Sequence, residues 1–145
     1  MSNERRVIKE TPKTNLQMNI LPKEDDIRAI QYDNPEVVKQ IEEQYPETTD
    51  EFKRIMFTQY ELFCMKQSNY GPGNISVGTS LETEDDVKLS LTGLWFRIND
   101  KVQRLKQLVV LGNKDNVGEP IDDTFMDLSV YGIIAQIVKN GKWAK

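Results

Sequence analysis

A chain of 145 residues, 38% hydrophobic and 29% charged, has the make-up of one globular domain with little room for a second core. It contains no histidine and a single cysteine, which excludes histidine-based acid–base catalysis, Ser-His-Asp and Cys-His nucleophiles, HExxH zinc sites and any intrachain disulfide. A net charge of −4 argues against a general electrostatic grip on nucleic acid, and no apolar run has the length needed to cross a bilayer.

Residues 1–22 are polar and aperiodic and read as a flexible or extended N-terminal arm, ahead of a single helical domain over 23–145. The opening MSNERRVIKETPKTN lacks an apolar h-region, and the lone Cys64 suits a reducing compartment, so the expected setting is cytoplasmic. A short helix is expected over Glu24–Gln31. Asn34-Pro35-Glu36 then marks a helix start, with an N-cap, a first-position proline and an acid in the first turn. That helix should stop near Tyr45-Pro46. Thr48 and Glu51 read as a capping box opening a helix to about Ser68. Phe52, Ile55, Met56, Gln59, Leu62 and Phe63 recur on it at helical spacing as a core-facing stripe, and Cys64 reads as a packed thiol.

The run Asn69-Tyr70-Gly71-Pro72-Gly73-Asn74 stops any regular element. The acidic Glu82–Asp86 stretch reads as a loop or a solvated helix start. From about Val87 to Leu111, Trp95, Ile98, Val102, Leu105 and Val109 alternate at three and four residues. This predicts a packing seam with Trp95 in the core and Gly112 as C-cap. After a loop over Asn113–Gly118, Pro120 begins a final helix that is apolar on most sides beyond Val130. Gly132 and Ala135 there would permit close approach of a neighbour, and Asn140-Gly141 closes the helix. The tail leaves Trp143 as an exposed indole. No stretch reads as a strand, so the fold class is all-α, a bundle of four to five helices. So apolar a final helix leads us to expect a homo-oligomer, a dimer or tetramer.

Two charged stripes stand out on the last two long helices. Arg97, Asp100, Lys101 and Arg104 fall within about a third of a turn, at about 100° per residue. Glu119, Asp123 and Asp127 form a tighter row, with Asp122 to one side. Carboxylates one turn apart repel unless something positive lies between them. With no histidine, a metal held here would be Mg²⁺ or Mn²⁺ on carboxylates and water. The row Glu119, Asp122, Asp123 and Asp127 would supply the metal ligands. Arg97, Lys101 and Arg104 would grip phosphate, and Asp100 would orient a water or a ribose hydroxyl. Tyr70 and Asn74 would stack on and hydrogen-bond a base. No GxxxxGK[ST] or GxGxxG turn is present to do this instead. The same stripes also fit a salt-bridged helix pair that fixes register and does no chemistry.

The pieces QSNYGPGN, FRINDKVQRLKQL and EPIDDTFMDLSVYGIIA occur in that order over about residues 50–139. In this the chain resembles the small phage and bacterial proteins called nucleotide modification associated domain 1. The resemblance implies a helical fold and a place in nucleotide or modified-base metabolism, in an infected or host bacterial cell. The arrangement is also similar to the all-α MazG-like nucleoside triphosphate pyrophosphohydrolases, which hold Mg²⁺ on E-x-x-E and E-x-x-D pairs. Glu119 and Asp122 match the second pair, which would make Glu119 and Asp100 the candidate catalytic carboxylates. The first pair has no counterpart, since Arg97 and Asp100 stand there, and Glu61 is the nearest substitute. Three functions stay open: Mg²⁺-dependent hydrolysis of a nucleoside phosphate, sequestration of a nucleotide without turnover, and a purely structural helical domain.

Overall fold

The computed structural model describes residues 32–145, with five helices and no strand among them. The arm over 1–22 and the short helix over 24–31 lie outside the described residues. The chain divides into two compact units, one reaching to Thr58 and one from Gln59 to Lys145.

In the first unit, α1 (Pro35–Gln44) starts at Asn34-Pro35 and stops before Tyr45-Pro46, as its flanking residues predict. Helix α2 (Pro46–Tyr70) begins two residues earlier than the Thr48 cap would place it. A first-position proline sacrifices no helical hydrogen bond. The Thr49 N–H already donates to Tyr45 O at 3.1 Å, so the helix is under way at Thr48. Glu51 closes no capping box. It accepts from Arg54 Nε at 2.7 Å, while Lys53 reaches Glu42 of α1 at 2.7 Å. The expected core stripe also divides here. Phe52 is 67% exposed and Ile55, Met56 and Cys64 are exposed, whereas Leu62 and Phe63 are half-buried.

The second unit holds the rest of α2, a one-turn α3 (Gly73–Ser76), α4 (Glu84–Leu105) and α5 (Ile121–Lys139). Gly71, at φ +66°, takes the left-handed conformation that ends α2, and its N–H donates to Gln67 O at 2.9 Å. Thr83 caps α4 by accepting from Asp86 N at 3.1 Å, with three acids in the first turn. Past Leu105 the chain continues as a π-turn over Lys106–Val110, where Leu111 N donates to Lys106 O at 3.0 Å. Two residues of the expected seam are exposed, Val102 ahead of the wider turn and Val109 within it. Gly112, at φ +65°, ends the element as its C-cap position predicts.

α4 and α5 pack side by side and antiparallel, since Lys101 pairs with Asp127 and Arg104 with Glu119. Their core contains Ile75, Leu94, Ile134, Val138 and Trp143. The two tryptophans have exchanged their expected places. Trp95 is 58% exposed, turned outward with Phe96 at 5.1 Å between ring centroids. Trp143 is 6% exposed, edge-on to Phe63, and its Nε1–H donates to Pro72 O at 3.1 Å. The turn after Gly141 folds the tail back over the core, with Lys142 N donating to Ile137 O at 3.0 Å. Gly132 has open space where a Cβ would stand, so it admits no close neighbour within the described chain. Among the described residues no helix is long and apolar enough to cross a membrane.

Buried area decides what the two indoles contribute. Trp143→Ala should lower the unfolding free energy in urea by about 3–5 kcal/mol. Trp95→Ala should change it by about 0.5 kcal/mol or less. Equal losses would contradict the assignment of Trp143 to the core.

Candidate functional site

The two charged stripes meet, and they meet as ion pairs. Lys101 Nζ stands 2.9 Å from Asp127 Oδ2 and 3.7 Å from Glu119 Oε1. Arg104 Nε lies 3.7 Å from Glu119 Oε2, and its Nη2 donates to Glu119 O at 2.6 Å. Its Nη1 donates to the buried Thr124 hydroxyl, and Asp115 lies 3.4 Å away. The hydrogen bond that Lys101 donates to Asp127, with the charges of Asp127 and Glu119, raises the Lys101 pKa above the ordinary lysine value. Backbone N–H groups of Val117 and Gly118, with the Arg104 charge, hold the Asp115 carboxyl below its ordinary value. Asp100 and Asp122 are exposed, Asp123 is half-buried, and none of the three enters an ion pair among the described residues.

Arg97 belongs to a different place. Its Nη2 donates to Asn74 O at 2.9 Å, and its guanidinium lies 5.9 Å from the Tyr131 ring centroid. It lines a cavity of about 340 Å³ together with Lys66, Tyr70, Asn74, Asp127 and Tyr131. Phe63, Ile75 and Ile134 supply apolar wall. The cavity therefore draws on the end of α2, on α3, on the middle of α4 and on α5.

The turn that builds one side of it is pinned at three carbonyls. Trp143 donates to Pro72 O, Arg97 to Asn74 O, and the buried Ser90 hydroxyl to Ile75 O at 2.6 Å. Pro72 O also accepts from the Ile75 and Ser76 N–H groups at 3.2 Å, so the indole donor there adds to the turn's own bonds. Asn74 Oδ1 is the exception: it is buried and has no hydrogen-bond partner.

Three residues singled out in the sequence for nucleotide contact, Tyr70, Asn74 and Arg97, thus share one cavity with Asp127. Lys101, Arg104 and Glu119 do not line it. Lys66 and Tyr131 were not singled out in the sequence. The available signal was spacing, since Lys66 stands one turn before Tyr70 on the same face of α2. Asp127 Oδ1 faces Lys66 Nζ at 3.4 Å and Oδ2 faces Lys101. Both of its oxygens are therefore turned to ammonium groups. Among the described residues no three acidic or cysteine side chains are close enough together to hold a metal ion.

Residues 89–138 match the sequence model of the family described as nucleotide modification associated domain 1. The match starts later than the segment 50–139 read from the sequence. It takes in most of α4, the π-turn and nearly all of α5, about a third of the chain. The matched segment therefore carries Arg97, Asp127 and Tyr131. The other wall of the cavity, with Lys66, Tyr70 and Asn74, lies outside it. No curated protein and no solved structure matches the chain.

The raised Lys101 pKa fixes a direction for stability against pH. A lysine whose pKa is higher in the folded state contributes stability below its ordinary value of 10.5 and loses it as pH rises through the folded value. Wild type should therefore be more stable than Lys101→Met near neutral pH in urea denaturation, and the gap should narrow once the pH passes about 10.5. A gap that widens with alkali would contradict the pairing.

Proposed function

We propose that the cavity at the α2–α3 turn binds a nucleotide. The observation that carries this reading is the convergence of Tyr70 and Asn74, at the turn after α2, with Arg97 from the middle of α4 on one small cavity. The match of residues 89–138 to a nucleotide-associated family supports it independently.

Each residue has a role suited to its chemistry. Arg97 uses one N–H on Asn74 O and keeps further donors of its planar fork for phosphate oxygens. Its anchoring to Asn74 O and its place near Tyr131 pre-set the guanidinium, so little ordering remains to be done on binding. Tyr70 is exposed at the cavity and offers a ring on which a base can stack. Asn74 offers an amide whose Oδ1 lacks a partner, and a ligand that brings a hydrogen bond there relieves a cost present in the free protein.

Binding, not turnover, is the function this arrangement supports best. Asp100 and Glu119, the candidate acid–base carboxylates, do not line the cavity, and Glu119 is engaged by Lys101 and Arg104. Mg²⁺ does not fit the donors at Asp127, because a cation there would have to displace one or both ammonium groups.

Titration calorimetry with the four deoxynucleoside 5′-monophosphates and triphosphates, with and without Mg²⁺, tests this. At least one ligand should bind. Arg97→Ala should weaken it about tenfold or more, through loss of a charged hydrogen-bond donor. Tyr70→Ala should weaken it by about 1–3 kcal/mol through loss of stacking. Trp95→Ala, on the outer face of α4, should leave affinity unchanged. Absence of all binding, or binding indifferent to Arg97, would overturn the proposal.

A further inference from the structure

Two cations line the cavity, and one of them is held only loosely. Lys66 Nζ sits 3.4 Å from Asp127 Oδ1, at the outer limit of a hydrogen bond, and its side chain is 47% exposed. The other Asp127 oxygen is 2.9 Å from Lys101, whose side chain is 22% exposed. If Lys66 leaves, Asp127 still has its better partner. The exchange therefore strands no charge in the interior, which is the outcome that makes breaking a buried pair costly.

The supply of positive charge is also limited. Lys101 and Arg104 are engaged by Asp127, Glu119 and Asp115, which leaves Lys66 and Arg97 to meet a ligand. Against them stands the Asp127 carboxylate, itself part of the cavity wall. Two cations and one carboxylate suit a single phosphate group. A triphosphate would bring further negative charge beside Asp127 with no cation left to offset it. A volume of about 340 Å³ lies at the small end of ligand pockets, which run from about 300 to 1,000 Å³.

We propose that the cavity is a nucleoside monophosphate site in which Lys66 and Arg97 take the phosphate, and Asp127 is the internal anion that the phosphate displaces from Lys66. This rests on the nucleotide reading above and adds to it a ligand class, a phosphate ligand outside the charged stripes and a charge filter. Asp127 occupies Lys66 until an anion strong enough to replace it arrives. An uncharged nucleoside cannot make that exchange.

The experiment compares three probes on the full chain without metal: the tightest-binding deoxynucleoside 5′-monophosphate from the panel, its nucleoside and its triphosphate. The proteins are wild type, Lys66→Met and Asp127→Asn, each checked for folding by a thermal scan. The monophosphate should bind wild type more tightly than either other probe. Lys66→Met should weaken the monophosphate about tenfold and leave the nucleoside unchanged. Asp127→Asn should tighten the monophosphate several-fold, because the competing anion is gone. If Asp127→Asn does not fold, the Lys66→Met comparison decides alone. A triphosphate preference, an unaltered monophosphate affinity in Lys66→Met, or weaker or unaltered binding in a folded Asp127→Asn overturns the monophosphate assignment while leaving nucleotide binding intact. If wild type binds none of the three probes, the nucleotide reading itself falls and this inference with it.

Discussion

Three carbonyl oxygens in the turn after α2 decide the shape of the cavity. Pro72, Asn74 and Ile75 each accept a hydrogen bond from a side chain distant in sequence: Trp143, Arg97 and Ser90. Pro72 O is also held within the turn by the N–H groups of Ile75 and Ser76, whereas Asn74 O and Ile75 O take side-chain donors from α4. The same bonds do a second task. Trp143 closes the core, Ser90 joins α4 to α3, and Arg97 is held at the cavity wall beside Tyr131. The backbone of the turn and one wall of the cavity thus rest on one set of contacts.

Electrostatics then divides the cations by availability, which their spacing along α4 does not express. Lys101 and Arg104 lie toward the α4–α5 loop, where Glu119, Asp115 and Thr124 surround them. Arg97, one to two turns earlier, meets a backbone carbonyl and an aromatic ring, neither of which cancels its charge. Asp127 is the point where the two regions touch, one oxygen toward each lysine. The salt-bridged helix pair and the cavity are therefore neighbours on the same helices.

The sequence made the helices legible wherever local chemistry decides them. Pro35, Pro46, Gly112 and Gly141 mark ends that the structure keeps within a residue or two, whereas α4 starts at Glu84, three residues before the expected Val87. It was less informative where burial depends on the path of the chain. Trp95 fits a seam of three-and-four spacing, yet the core uses the face carrying Leu94, and Trp95 is left outside. Trp143 has no periodic context at all, and only the reversal after Gly141 brings it inside. The π-turn over Lys106–Val110 left no pattern to read. At the site, Arg97, Tyr70 and Asn74 could be nominated by type and place. The separation of Arg97 from Lys101 and Arg104 could not, because the three share a helix face and differ only in what α3 and α5 set against them. Lys66 was passed over because it stands in α2, away from both charged stripes.

The most direct measurement of the central claim is an amide-resolved NMR titration of the full chain with a deoxynucleoside 5′-monophosphate. Chemical-shift changes should concentrate at Gln67, Tyr70, Asn74, Arg97 and Tyr131, around the three pinned carbonyls, and leave the outer face of α4 at Thr92 and Trp95 unaltered. Changes centred on that outer face, or on the α4–α5 loop at Asp115 and Glu119, would place the ligand elsewhere and contradict the account.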